Sequence, residues 1–186
     1  MIEAELKARL ADPGRVRAAL GERAMVERAV YHDTYFDDDE SSLQRSGREL
    51  RVRTKIVHDQ HRHILTYKEA AVDAVSDSKP EHETDVADRE ALTTILVGLG
   101  YRPVIELTKQ CENYAFDSGA RSVLATVVTV AELADTFLEV ETLVPADEVS
   151  AALENLRDLL TGLDIAESTL TSELYTDAVA AQRNAR

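Results

Sequence analysis

The first residues alternate strictly: Ile2, Ala4 and Leu6 are apolar, and Glu3, Glu5 and Lys7 are charged. A period of two is the signature of a β-strand with one apolar and one polar face. The alternation returns from Glu49 to Val57, where Arg51, Arg53 and Lys55 share a face opposite Leu50, Val52, Thr54 and Ile56. Residues 25–36, rich in Val, Tyr, Thr and Phe, predict another strand. Arg62 to Glu69, carrying Lys68, and Lys79 to Val86, with Lys79, Glu81, Glu83 and Asp85 on one face, predict two more. Further strands are expected at about 103–109, 111–117, 121–130 and 136–144.

Helical spacing appears between these strands. Asp12-Pro13 reads as an N-cap with proline at the first helical position, followed by Val16, Ala19 and Leu20. Asp88 caps a second helix with Ala91, Leu92, Ile95, Leu96 and Leu99 on its stripe, closed by Gly100. Val149, Ala152, Leu153, Leu156, Leu159 and Leu160 predict a helix over about 146–162, and a last helix is expected at about 171–183. Asp37 to Gly47 reads as a surface loop, His58 to His61 as a hairpin turn and Ala70 to Ser78 as a loop. No linker or tandem repeat interrupts the chain. The expectation is one α+β domain over residues 1–180, whose sheet curls into a barrel with helices outside it, and a disordered tail at 181–186.

Composition narrows the function. The chain has 186 residues and a formal net charge of −14. General nucleic-acid binding wants a basic face, and an acidic surface is repelled by anionic membranes. An anionic ligand therefore needs a local basic site. The single cysteine, Cys111, allows no intramolecular disulfide, and the N-terminus lacks the basic and apolar runs of a signal peptide, so a cytoplasmic location is expected.

Charge pairing raises a chemical possibility. Glu3/Glu5, Arg51/Arg53/Lys55, Glu81/Glu83 and Glu139/Glu141 each place like charges side by side on a strand face. Such neighbours repel unless an opposite charge or an ion lies between them. On one wet sheet face they would be solvated. Around a closed lumen they would hold a polyphosphate on the basic groups and a divalent metal on the carboxylates.

These residues also follow a known order. Glu3-Ala4-Glu5-Leu6-Lys7 matches the ExExK signature of CYTH proteins, the triphosphate tunnel metalloenzymes. Asp33-Thr34-Tyr35-Phe36-Asp37, Leu50-Arg51-Val52-Arg53, Leu65-Thr66-Tyr67-Lys68, Lys79-Pro80-Glu81-His82-Glu83, Leu99-Gly100-Tyr101 with Lys109-Gln110, and Phe137-Leu138-Glu139-Val140-Glu141 resemble its later landmarks. A weaker echo lies at Leu174-Tyr175-Thr176-Asp177. The resemblance implies an eight-stranded antiparallel β-barrel, the triphosphate tunnel, with flanking helices. It implies that Glu3, Glu5, Glu139 and Glu141 hold Mg²⁺ or Mn²⁺, with Glu81 and Glu83 adding to the acidic side. It implies that Lys7, Arg51, Arg53, Lys68, Lys79 and Lys109 clamp the triphosphate, and that Glu3, Glu5, Lys7 and Arg53 carry the catalysis.

Two positions depart from the family pattern. Its K-x-R reads Lys109-Gln110-Cys111 here, and the acidic residue about eleven positions before the last glutamate pair falls in Thr126-Val127-Val128.

Other candidates read as structural. His58, His61 and His63 suit a solvated hairpin better than a zinc site. Cys111 reads as a small apolar filler with no partner base in view. Tyr31, Tyr35 and Tyr67 are candidates to stack a ring or to pack the barrel, and Asp37 to Glu40 reads as a solvated run. Neither GxxxxGK[ST] nor GxSxG occurs. The expected activity is metal-dependent hydrolysis of a triphosphate: inorganic tripolyphosphate, thiamine triphosphate or a nucleotide. The alternatives are a class IV adenylate cyclase that makes cyclic AMP, and a triphosphate or diphosphate binder without turnover. The expected partner is a triphosphate-bearing small molecule, with neither nucleic acid nor membrane, and a homodimer is the candidate assembly.

Overall fold

The alternation along the strands resolves into an inside and an outside. In the computed structural model, which describes residues 1–72, 76 and 78–185, eight antiparallel strands close into a barrel in the order β1-β5-β4-β3-β2-β6-β7-β8. They are β1 (Ile2–Arg9), β2 (Glu27–Asp37), β3 (Glu49–Val57), β4 (Gln60–Lys68), β5 (Lys79–Val86), β6 (Arg102–Ser118), β7 (Arg121–Val130) and β8 (Thr136–Val144). Five helices flank them: α1 (Pro13–Gly21), α2 (Ser42–Arg45), α3 (Arg89–Gly98), α4 (Val149–Gly162) and α5 (Tyr175–Asn184). The single α+β barrel expected from the sequence is the fold observed. Part of the loop expected from Ala70 to Ser78 lies outside the described residues.

The main apolar core lies outside the barrel wall. Ile2, Ala4 and Leu6 of β1, Val123, Ala125 and Val127 of β7, and Leu138 and Val140 of β8 pack beneath α1 and α4. Leu156 of α4 and Leu138 are fully buried there. Each such leucine contributes about 1.5–3 kcal/mol relative to exposure. A second outer cluster seats α3 through Leu96 against Phe36 and Val52. Because apolar residues face the helices, the alternate charged residues must face the lumen.

Three local features differ from the sequence expectation. The strands expected at 103–109 and 111–117 are one 17-residue strand, β6. Gln110 continues the ladder opposite both Val30 and Thr129, so a polar residue on the outer face does not interrupt it. The β2–β6 register shifts between Tyr35 and Phe36, where β6 accommodates one extra residue as a bulge. Asp37, read as part of a solvated loop, is buried and organises that loop. Its Oδ1 accepts from the amides of Asp38 and Leu43, and its Oδ2 from the amide of Gln44 at 2.9 Å. These bonds supply orphan amides at the start of α2.

The β3–β4 hairpin turns at His58 and Asp59, both with positive φ (46° and 64°). That is the hand of a two-residue turn matched to strand twist. The last helix starts at Tyr175 and runs through Asn184, into the segment read as a tail. Among the described residues no helix is long and apolar enough to cross a membrane.

Candidate active site in the barrel lumen

A cavity of about 220 Å³ occupies the lumen. Its cationic lining is Arg51, Arg53 and Lys55 of β3, Arg62 and Lys68 of β4, and Lys109 of β6. Its carboxylates are Glu3 and Glu5 of β1, Glu81 and Glu83 of β5, and Glu139 and Glu141 of β8. Tyr31, Ile64 and Leu124 complete it. Strand alternation explains this assembly, since residues two apart on each strand point the same way.

The charges are sorted within the cavity. Glu3, Glu5 and Glu141 each place a carboxylate oxygen within 4.8 Å of the others. Burial, then Glu139 and Glu3, push the Glu5 carboxyl up to about 8, against the pull of Lys68 and Lys7. Burial, Glu3 and Glu5 likewise raise Glu141 well above the carboxylate range. The cluster therefore carries more potential negative charge than its surroundings neutralise. Lys68 reaches it from β4, pairing with Glu3 and, at 2.9 Å, with Glu81.

Arg53 and Arg51 occupy the basic side. Arg53 donates from Nε and Nη2 to the two oxygens of Asp33, each at 2.7 Å, and its guanidinium lies 4.3 Å from the Tyr31 ring centroid. Asp33 is 1% exposed. Burial alone would raise its carboxyl, but Arg53 outweighs burial and holds it well below the usual range. This planar two-bond fork fixes the Arg53 orientation. Arg51 Nη2 donates to Thr66 Oγ1 at 3.2 Å and stands 3.7 Å from Glu83 and 3.8 Å from Glu81. Arg51 Nε is buried with no hydrogen-bond partner. A buried donor left open is costly and marks a place for an acceptor.

Lys109 stands 3.7 Å from Glu139. Burial pushes Glu139 up, yet Lys109 and Lys7 outweigh it, so this carboxyl lies below its ordinary value. Tyr175, from α5, closes this end of the lumen. Lys109 Nζ lies 4.1 Å and Lys7 Nζ 4.7 Å from its ring centroid. Its hydroxyl is buried and faces Glu139 without meeting hydrogen-bond geometry.

Most of the residues singled out from the sequence meet in this one cavity. Two lie at its margins. Lys7 points inward beside Glu5, but its Nζ donates to the Glu173 carbonyl at 2.6 Å, under Tyr175. Lys79 pairs with Glu49 and lines a second cavity beyond Arg51. Among the carboxylates, Glu81, Glu83 and Glu139 face cations, and Glu3, Glu5 and Glu141 group together with Lys68 on Glu3.

Sequence reasoning left Asp33, Glu49 and Tyr175 out of the site. Asp33 shares the alternation of Tyr31 and Tyr35, which was a usable signal. Tyr175 lay in the weak echo Leu174-Tyr175-Thr176-Asp177, but nothing in the sequence linked it to Glu139, more than 30 residues earlier.

The remaining candidates are structural. His63 Nδ1 lies 2.9 Å from Thr54 Oγ1, and the described histidines form no metal-ligand group. Burial pushes the Cys111 thiol up to about 12, which removes it as a nucleophile. Tyr67 stacks with His82 at 6.3 Å.

The model of the CYTH domain matches residues 1–175. The chain belongs to the CYTH domain family. A Methanocaldococcus jannaschii protein named "Putative adenylate cyclase" is 24% identical over 180 residues, covering 95% of this chain and 98% of that one. The structure of the PH1819 protein from Pyrococcus horikoshii superposes with a TM-score of 0.84 at 25% identity, over 97% of this chain and 99% of that one. A Hippeastrum protein, described as an adenylyl cyclase candidate with a dominant triphosphatase activity, superposes with a TM-score of 0.67 at 15% identity. It covers 100% of this chain and 97% of its own, and at that identity it shows the shared fold.

Proposed function

We propose that this CYTH chain is a divalent-metal-dependent triphosphatase that holds the phosphates between Arg51, Arg53, Lys68 and Lys109. The observation that carries this reading is the buried, unpartnered Arg51 Nε in a cavity walled by further cations. A phosphate oxygen is the acceptor such an arrangement suits, and arginine binds it through a planar fork. The named activity of the Hippeastrum protein supports hydrolysis.

Glu3, Glu5 and Glu141 fit a hard cation, because all three offer oxygen donors, and burial with their mutual repulsion raises Glu5 and Glu141. Mg²⁺ or Mn²⁺ is the proposed ion. When bound, it would neutralise phosphate charge as the transfer proceeds.

The protein groups do the rest. Asp33 keeps Arg53 aimed across the lumen. Arg51, Arg53 and Lys68 take up charge as the bond between the terminal phosphorus and its bridging oxygen breaks. Glu139, kept ionised by Lys109 and Lys7, accepts the proton of the water that attacks that phosphorus. Tyr175 and α5 exclude bulk water from this end.

Cyclisation is the second reading, favoured by the name of the Methanocaldococcus relative. There a ribose hydroxyl attacks the innermost phosphorus and pyrophosphate leaves. A third reading is binding without turnover, favoured by the uncharged Cys111 and Val128 facing the lumen. Phosphorus NMR of ATP and of tripolyphosphate, each incubated with protein and Mg²⁺ or Mn²⁺, separates the three. Orthophosphate supports hydrolysis, cyclic AMP with pyrophosphate supports cyclisation, and unchanged spectra despite binding support the third reading.

A further inference from the structure

The Arg53 guanidinium is held along one edge and over one face. Its edge is the fork to Asp33, two bonds of 2.7 Å from Nε and Nη2. Two parallel bonds stop rotation within the plane. The plane can still hinge about the line of the two acceptor oxygens, and hinging would swing Nη1, on the edge away from Asp33, across the lumen. Tyr31 blocks that movement on one side. Its ring centroid lies 4.3 Å from the guanidinium carbon. Stacking on an aromatic face suits arginine, whose flat cation is weakly hydrated.

Tyr31 is itself fixed at its far end. Its hydroxyl oxygen accepts from Asn113 Nδ2 at 2.9 Å. The same amide nitrogen donates to Glu27 Oε1 at 3.2 Å, and Asn113 Oδ1 accepts from Thr126 Oγ1 at 3.1 Å. These partners set the sense of the amide: turned over, its oxygen would face the Glu27 carboxylate. Tyr31, Asn113 and Thr126 are all buried, so bulk water does not compete for these bonds. Barrel register places them, with Asn113 opposite Glu27 on β2 and opposite Thr126 on β7. The contacts thus run from β7 through β6 and β2 to Arg53 on β3. Among the described residues lining the charged cavity, Tyr31 is present and Asn113 and Thr126 are not. Asn113 has two routes to that cavity, through Tyr31 and through Glu27, which holds Lys55 at 2.6 Å.

We propose that Tyr31 is a positioning residue for Arg53, and that Asn113 and Thr126 form the relay that holds Tyr31 in place. The proposal rests on the triphosphate reading of the lumen and adds how its basic wall is kept in shape. Asp33 sets the direction of the guanidinium, and Tyr31 sets its tilt. Together they leave Nη1 aimed where a phosphate oxygen is to be met.

A double-mutant cycle separates the two routes. Calorimetric affinity for inorganic tripolyphosphate, with Mg²⁺ present, is measured for the parent, Tyr31→Phe, Asn113→Leu and the double variant. Circular dichroism checks folding. Tyr31→Phe keeps the ring and removes its anchor, and Asn113→Leu removes the same anchor from the other side. Each is expected to weaken binding about two- to tenfold, the range for one neutral hydrogen bond. The double variant is expected to bind no worse than the weaker single, because both changes break one link. Losses that multiply in the double variant overturn the relay and route the Asn113 effect through Glu27 and Lys55. Undiminished affinity in both singles overturns it as well. If Asn113→Leu does not fold, Thr126→Val, which keeps the side-chain shape, takes its place in the cycle. Tyr31→Leu, which also removes the ring, is expected to weaken binding about tenfold or more. Tyr31→Leu no weaker than Tyr31→Phe overturns the role of the ring. The Arg53 Nε–H signal in nitrogen-15 NMR of the ligand-free protein gives a reading that a purely structural role does not move. It is expected to shift and broaden in Tyr31→Leu, and a signal unmoved in the folded variant overturns the proposal without reference to any ligand. A parent protein that binds no tripolyphosphate overturns the triphosphate reading instead, a separate failure visible before any variant is made.

Discussion

Cys111 and Val128 stand directly opposite one another across β6 and β7. The two departures from the family's charged pattern are therefore a single change, made in both members of a cross-strand pair. Opposed residues on antiparallel strands are in contact range. Loss of one charge alone would strand its partner in a buried place, whereas loss of both leaves an apolar contact. Val128 is 0% and Cys111 3% exposed, and they pack with Phe137, Tyr175 and Val179. Charges of both signs already bear on Cys111, Lys109 and Arg53 against Glu139 and Asp33.

Cys111→Arg alone should accordingly lower unfolding free energy by about 3–5 kcal/mol, the usual cost of a buried charge without a partner. Adding Val128→Asp should recover most of that loss. Urea denaturation of the parent, both single variants and the double variant forms a complete cycle. A double variant as unstable as the sum of the singles contradicts the pairing.

Asp33 makes a prediction about acid. Its folded-state carboxyl lies well below the ordinary Asp value because of Arg53. A depressed carboxyl contributes stability above its unfolded value, near pH 3.8, and loses it as pH falls towards the folded value. Asp33→Asn should cost about 3–5 kcal/mol at neutral pH by leaving Arg53 buried without its partner. The gap between parent and variant should hold from about pH 5 upward and shrink below about pH 4. Thermal melts over that range read it directly, and a gap that widens in acid reverses the sign.

Glu5 predicts proton release. At pH 7 a carboxyl pushed up to about 8 is mainly protonated, and a divalent cation requires the carboxylate. Calorimetric titration of Mn²⁺ in two buffers of different ionisation enthalpy should show net proton release at neutral pH. The Glu5 share should fade once pH passes about 8. Glu5→Gln should lose that share. Buffer-independent heats at pH 7 would contradict the assignment.

Tyr175 separates ring from hydroxyl. The hydroxyl is buried without a hydrogen bond, so Tyr175→Phe removes a group that contributes little to folding. Its ring packs with Phe137 at 5.2 Å and sits beneath Lys7 and Lys109. Tyr175→Ala should cost about 3–5 kcal/mol, against less than about 1 kcal/mol for Tyr175→Phe. Equal losses would place the contribution on the hydroxyl instead.

Much of this was legible in the chain. The alternation in β1 and β3 put the charges on one face before any geometry, since a period of two admits only two faces; closure of the barrel made that face the lumen. Helices α1 and α3 announced themselves through Asp12-Pro13 and Asp88, whose side chains do accept from Arg15 and Ala91 amides. What alternation could not show was which charge meets which. The Glu3, Glu5 and Glu141 group joins β1 to β8, adjacent in the barrel but at opposite ends of the sequence. Barrel closure, a non-local event, decides such pairs. Asp37 looked solvated because its partners are backbone amides, which composition does not reveal. Gln110 looked like a break because a polar residue on the outer wall of a long strand resembles a turn.

The most direct test of the account is the affinity of the parent and of an Arg51→Ala/Arg53→Ala variant for inorganic tripolyphosphate, measured by calorimetry with Mg²⁺ present. Hydrogen bonds to charged groups contribute roughly 1.5–3 kcal/mol each, so losing both guanidinium groups should weaken binding by about 100-fold or more. Undiminished affinity in the folded double variant would contradict the claim that the basic wall of the lumen grips the phosphates.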